Sequence, residues 1–455
     1  MKSHDSVSAQ QPRRILEILF GLCFLLLTST SVRAVWSTQF ATEGLNGRVR
    51  TLIPFGATLA AGGDFTMAGV TPANYVATWD GSDWAALGTG FDDDVHALAV
   101  YDGRLIAAGK FDFAGATPTS HIASWDGTNW SALGTGCDGE VVALAVFEGK
   151  LYAGGFFLNA GGTAANRIAA WDGTSWAPVG TGVDRPINVL HVHDGELIVG
   201  GEFQNAGGVI ATSIAAWNGV TWSDLDSGMN GGVTALTTFN GDLIAGGFFT
   251  QADLQTANYI AVWNGIEWDP VGNGFDSGVR GLAVFGDDLV AGGVFASAEG
   301  IAASRLARWD GATWLELGGG VDGFVHAITL YDEGLFVGGN FQNAGGSPSI
   351  RLARWDDGTS STDTGSGVLQ SFAFPNPFSD RVELSFGANI RTVGVYDAMG
   401  RLVRRQTFSG SNDRWVWNGR DESGREVPAG VYTLRFERSS RTDALRRAHR
   451  ITRLP

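Results

Sequence analysis

The 455-residue sequence predicts an all-β chain: a seven-bladed β-propeller of 46-residue, four-stranded blades, followed by a small C-terminal β-sandwich. Three observations carry this. Trp79, Trp125, Trp171, Trp217, Trp263, Trp309 and Trp355 each lie 46 residues apart, in register with a Phe series from Phe65 to Phe341 and a Gly series from Gly63 to Gly339. Each unit reads as short alternating strands separated by turn residues, with no helical period. The repeat then stops near residue 357, and the charge balance changes sign beyond it.

The third unit shows what a repeat builds. Val141 to Phe147 alternates as a strand, Glu148-Gly149 turns the chain, and Lys150 to Phe156 returns. A Gly-rich loop, Asn159 to Asn166, leads to a strand over Arg167–Trp171, and Asp172-Gly173 turns into Ser175–Val179. Four strands per repeat and several repeats of about 40–50 residues describe a propeller blade, whereas a parallel β-helix needs shorter coils. Gly supplies 66 residues without a collagen period, and the hairpin turns repeated seven times account for the excess.

Closure of the ring is readable as well. A second Trp follows the first in six units, at Trp84, Trp130, Trp176, Trp222, Trp268 and Trp314, but the seventh unit lacks it. Trp36 stands alone at the other end of the repeat region, so the outer strand of the last blade is expected from about Val35–Phe40.

The expected divisions are 1–34, 35–356, 357–370 and 371–455. Residues 1–34 have the composition of a secretory signal peptide. Lys2, Arg13 and Arg14 precede an apolar run from Ile15 to Leu27, and Ala34 ends a plausible cleavage site. After cleavage no transmembrane segment is expected, and one cysteine, Cys137, remains. It occupies a slot filled by Phe91, Val183, Met229, Phe275 and Val321 in other units, which predicts buried packing. Residues 357–370 are Ser-, Thr- and Gly-rich and read as a linker. From 371 to 455 there are 15 Arg against 9 acidic residues, while residues 35–370 carry 12 basic against 36 acidic ones. The net charge of -16 thus divides into a strongly acidic disc and a basic module, and it argues against nonspecific nucleic-acid binding.

The Gly-Gly at the end of the second strand, present in six of the seven units, and the phrase Trp171-Asp172-Gly173 with Trp176 five residues on resemble kelch-type blades. They are similar to galactose-oxidase-type propellers, and more closely to the kelch-like propellers of cell-surface proteins, including the fungal polarised-growth surface family. The resemblance implies an exterior setting. It brings no copper site, since the Tyr–Cys pair and His ligands of galactose-oxidase-like chemistry are not matched. Beyond the linker, Pro375-Asn376-Pro377-Phe378, Asp397-Ala398-Met399-Gly400 and Pro428-Ala429-Gly430-Val431-Tyr432 resemble the immunoglobulin-like domains of the flagellar hook-capping type and of type IX secretion sorting. That resemblance implies contact with secretion or envelope machinery, with the basic end of the chain forming a last strand over Ala448–Leu454.

Two rings of candidate site residues follow from the period. Asn46, Asp92, Asp138, Asp184, Asn230, Asp276 and Asp322 precede the first strand of each blade. Oxygen donors in a ring suit Ca²⁺, and the same residue types cap turns by hydrogen-bonding to backbone; both readings stand, and no other cofactor is expected. A second series varies from unit to unit: Arg50, His96, Val142, Asn188, Thr234, Arg280 and His326. The fold does not dictate these side chains, so they are candidates for ligand contact at the channel mouth, with His96 and His326 placed three or four blades apart. The leading expectation is an exported, non-catalytic propeller that binds protein or glycan at a surface through this ring, the Asx ring and the Gly-rich loops. The alternative is a secreted polysaccharide-active enzyme using carboxylates such as Asp92, Asp93 and Asp94. A third is a purely architectural envelope component.

Overall fold

The computed structural model describes residues 35–356 and, beyond them, 372–374, 381–385, 390–396, 401–408, 414–428, 430–438 and 448–453. The expected signal segment, the linker, the Pro-Asn-Pro-Phe phrase and the Asp-Ala-Met-Gly turn lie outside the described residues.

Seven four-stranded antiparallel sheets form the propeller. In blade 3 the strands are Val141–Phe147, Lys150–Gly155, Ile168–Trp171 and Trp176–Pro178, paired in that order from the innermost outward. The Gly-rich segment between the second and third strands is not an open loop. It makes a two-stranded ribbon, Asn159–Ala160 with Thr163–Ala164, and every blade repeats it.

The core sits between blades rather than within them. Ala60 and Val76 of blade 1 pack against Phe91, Val95, Leu98 and Trp130 of the next blade, and each following pair repeats the arrangement. The second Trp of each pair serves this seam twice. Trp125 and Trp130 stand opposite each other on adjacent strands with ring centroids 5.3 Å apart, and the Trp130 indole N–H donates to the Leu87 carbonyl at the end of blade 1. The buried indole is therefore satisfied, as its polar edge requires. The residue before each third strand has a left-handed backbone although it is never glycine, from Tyr75 (φ 68°) to Arg351 (φ 66°). Such strain persists because both backbone groups are held. Tyr75 N–H donates to the Phe65 carbonyl, and the Tyr75 carbonyl accepts from Gly63.

Val35–Trp36 closes the ring as the outer strand of blade 7, with Trp36 opposite Trp355. The strand is shorter than the expected Val35–Phe40 segment. Past Ser37, whose N–H donates to the Arg354 carbonyl, the chain turns through a 3₁₀ helix at Gln39–Ala41. The turn drives Phe40 inward, where it is fully buried with its ring 5.4 Å from Trp79 and 6.1 Å from Phe336.

The C-terminal unit is an immunoglobulin-like sandwich of two sheets. Phe372–Phe374, Val382–Ser385 and Arg414–Trp417 form one sheet. Leu402–Thr407, Ile390–Tyr396, Gly430–Arg438 and Ala448–Arg453 form the other, in that order. Val382 and Trp417 from the first sheet meet Val393, Val395, Tyr432 and Leu434 from the second in one core. The Tyr432 hydroxyl donates to the Pro428 carbonyl at 2.6 Å, which anchors the turn before the long strand.

Candidate functional site

The innermost strand of every blade carries a β-bulge at one position. In blade 1 Val49 pairs with Gly63 and Thr51 with Gly62, leaving Arg50 as the extra residue. The other blades leave His96, Val142, Asn188, Thr234, Arg280 and His326 in the same place. A bulge inserts one residue into the ladder and re-aims its side chain, so the ladder places little demand on its identity. The Gly63 series makes the bulge possible, since a Cβ on Gly63 would run into the Arg48 carbonyl.

All seven bulge residues line one central cavity of about 620 Å³ at the mouth of the channel. The six polar ones each engage a neighbouring blade or a neighbouring charge. Thr234 Oγ1 donates to the Val279 carbonyl at 2.6 Å, and Asn188 Nδ2 donates to the Val233 carbonyl at 3.3 Å. Arg50 donates to Asp94 Oδ2 at 2.9 Å, and His96 lies 3.9 Å from the same oxygen. Arg280 lies 3.3 Å from His326 Nδ1 and over the Phe248 ring at 5.3 Å. Closure of the ring corrects the separation expected for the two histidines. Blade 7 adjoins blade 1, so His326 and His96 flank Arg50 two blades apart.

Burial holds His326 at about 3, with Arg280, Arg48 and Arg50 adding to the effect. His96 is lowered by burial and by Arg50, against the opposing pull of Glu140 and Asp94. Both imidazoles are therefore neutral at pH 7.

The Asx ring lies on the same face and is engaged with backbone. Asp138 Oδ1 accepts from the N–H groups of Leu158 and Asn159, both at 2.8 Å, and Oδ2 accepts from Asn159 Nδ2 at 2.6 Å. Asp92, Asp184, Asp276 and Asp322 hold the corresponding ribbons of their own blades. Asn46 and Asn230 do so with an amide oxygen. Partial burial pushes Asp138 up, but the bonds from Asn159 and Leu158 outweigh it and hold the carboxyl below its usual range; Asp184, Asp276 and Asp322 behave alike. Among the described residues no group of three or more His, Cys, Asp or Glu is arranged to hold a metal ion.

The three consecutive carboxylates of blade 2 diverge. Asp92 holds its ribbon, Asp93 lies 3.3 Å from Lys110, and Asp94 meets Arg50. Cys137 is buried, and burial pushes its thiol well above the usual range.

Several groups at this mouth belong to neither of the two rings marked out by the period. Arg48 and Asp64 form a two-pronged pair across the bulge of blade 1, and Glu140 and Phe156 line the cavity from blade 3. Their signal was available. The positions equivalent to 48 and 64 vary between units as freely as the bulge positions do.

Residues 375–441 match the family model described as the FlgD Ig-like domain. A comparison with curated proteins finds no match. Among solved structures, the chain is similar to the computationally designed Ika8 protein at 16% identity, covering 71% of this chain and 98% of that one with a TM-score of 0.44. It is similar at 10% identity to the extracellular domain of a putative one-component system from B. thetaiotaomicron, covering 93% of this chain and 58% of that one with a TM-score of 0.43. A third similarity is to PorZ, a bacterial surface component of the type-IX secretion system of Porphyromonas gingivalis, at 13% identity over 88% of this chain and 64% of that one, with a TM-score of 0.34. The chain thus spans less than two thirds of the length of these two natural proteins. No helix among the described residues is long and apolar enough to cross a membrane.

Proposed function

We propose that the protein is an exported binding propeller, which contacts a protein or glycan at a cell surface through the channel-mouth face, while its C-terminal domain serves secretion or surface attachment. One observation carries the binding half. Within a frame repeated at 46 residues, the seven bulge positions that share a cavity differ from unit to unit, as do the positions equivalent to 48 and 64 beside them. A scaffold that holds backbone constant and varies side chains at one mouth is built to present a specific surface.

Two features support the export half. Residues 1–34 have the composition of a signal peptide, and residues 375–441 match a domain type whose sequence phrases resemble hook-capping and sorting modules. The kelch-like phrasing of the blades agrees with an exterior setting. Localisation of the full chain beside a 1–366 truncation tests it. The full chain is expected at the cell surface or in the medium, with the truncation retained elsewhere. If both reach the same place, the attachment role of the C-terminal domain is wrong. Among the described residues the core clusters of the propeller contain none beyond Trp355, so the truncation keeps that packing.

A further inference from the structure

The channel mouth is electrically polarised, although the disc as a whole is acidic. Blades 6, 7 and 1 are neighbours through ring closure, and they bring Arg280, His326, Arg48 and Arg50 to one side. Glu140 and Glu202 belong to blades 3 and 4 on the other side. The cations of blade 1 are already answered, Arg48 by Asp64 and Arg50 by Asp94. Arg280 has no carboxylate within 4 Å among the described residues, and it is the one exposed side chain of the seven bulge residues. An arginine in that position next to two others costs electrostatic energy, since like charges repel and solvent is partly excluded.

Its immediate partners hold it ready rather than neutralise it. Phe248 from blade 5 lies under the guanidinium, and the ring reaches across because Gly278 leaves room; a Cβ there would meet it. Guanidinium groups donate and never accept, so the contact at 3.3 Å makes His326 Nδ1 the acceptor. That fixes the proton of the neutral ring on Nε2, which is then a second donor at the cavity. Phe248 remains 42% exposed beside the cluster, and Phe324, 44% exposed, belongs to the blade on the other side of Arg280.

Resting on the binding role proposed above, the geometry points to a carboxylate-bearing sugar as the ligand of this mouth, a uronic-acid unit of an acidic polysaccharide. The carboxylate is held by the Arg280 guanidinium with His326 Nε2–H beside it, and the apolar face of the sugar ring lies against Phe248. A planar carboxylate matches the planar guanidinium fork in two parallel bonds, which a compact ammonium does not offer. The exposed ring distinguishes a sugar from a bare anion, because inorganic phosphate has no apolar face to cover it.

The test is calorimetric titration of the full chain at low salt with trigalacturonate, its methyl ester, hexaglutamate and inorganic phosphate. Trigalacturonate is expected to bind at least tenfold more tightly than each of the other three. Arg280→Gln and Phe248→Ala are each expected to weaken it at least tenfold. Arg104→Gln, on the opposite face of the disc, leaves it unchanged. Circular dichroism and the melting temperature of each variant separate loss of binding from loss of fold. Equal binding of acid and ester with Arg280→Gln harmless overturns the carboxylate site while leaving the broader binding role intact. Preferential binding of hexaglutamate overturns the sugar assignment. Failure of all four probes to bind overturns the inference.

Discussion

Replacing Trp36 by Ala tests the closure of the propeller, because one side chain joins the first described residues of the chain to its last blade. Trp36 pairs with Trp355 across the outer strands and sits edge-on to it with ring centroids 5.1 Å apart. Its indole N–H donates to the Gly318 carbonyl of blade 6 at 2.7 Å. The side chain is half-buried, so roughly 75–125 Å² of apolar surface would return to water, a loss of about 2–3 kcal/mol. The hydrogen bond contributes about 1 kcal/mol and the aromatic contact ~0.5–1.5 kcal/mol. About 3.5–5.5 kcal/mol is expected in all, close to the range for aromatic-to-alanine changes in cores. For a unit of this size that lowers the melting temperature by about 4–8 °C. Differential scanning calorimetry of the full chain reads it, and Trp36→Phe should recover about half the loss. Amide exchange should accelerate at Arg354 to Asp356, whose outer edge would lie open. A melting temperature within 1 °C of the parent would refute the closure argument, whatever the exchange data show.

Three further outcomes follow from the same geometry. Asp138→Ala removes the acceptor of two backbone N–H groups and should cost about 1–3 kcal/mol in urea unfolding, whereas Asp138→Asn keeps the Oδ1 acceptor, as Asn46 and Asn230 do, and should cost less than half as much. The folded carboxyl titrates below its unfolded value, so its stabilisation is present above about pH 4 and is lost as the pH falls through the folded value; Asp138→Asn should flatten that slope, and Ca²⁺ should leave the melting temperature unchanged. Burial, with His193 adding to it, holds His191 at about 4, so the unfolded chain takes up a proton first and stability falls from about pH 6.5 towards 4; His191→Asn should reduce that fall in denaturation at pH 7 and 5, and an unaltered slope would show that the imidazole is not neutral in the fold. Cys137 should resist a thiol reagent in the native protein and react on unfolding, and rapid native labelling would show that its slot in blade 3 opens.

Much of the blade was legible because each repeated residue has a local reason to be there. Strand alternation, Asx-Gly turns and the paired tryptophans are constraints within a few residues, and seven copies separate them from chance. The cysteine slot was legible for the same reason, since Phe91, Val183 and Met229 fill its equivalents. Where the reading was too coarse, the deciding contact was remote. The Gly-rich segments form ribbons because an Asx side chain some 20 residues earlier holds them, as Asp138 holds Leu158 and Asn159. Phe40 leaves the outer strand because Trp79 and Phe336 form a pocket for it from two blades.

The bulge positions stand between these cases. Their variability marked Arg50, His96, Val142, Asn188, Thr234, Arg280 and His326, but the physical cause, an extra residue in the innermost ladder, is a matter of strand register. By itself, then, the sequence determined the number of blades, their strand order, the buried aromatic pairs and the charge of each domain, because these depend on period and composition. Only the tertiary structure decided which side chains share the mouth and which remain uncompensated there. Closing the ring puts His326 beside Arg50 across 276 residues of chain and leaves Arg280 facing the cavity with no acid paired to it among the described residues, and no local pattern encodes a neighbour that arrives from the far end of the repeat.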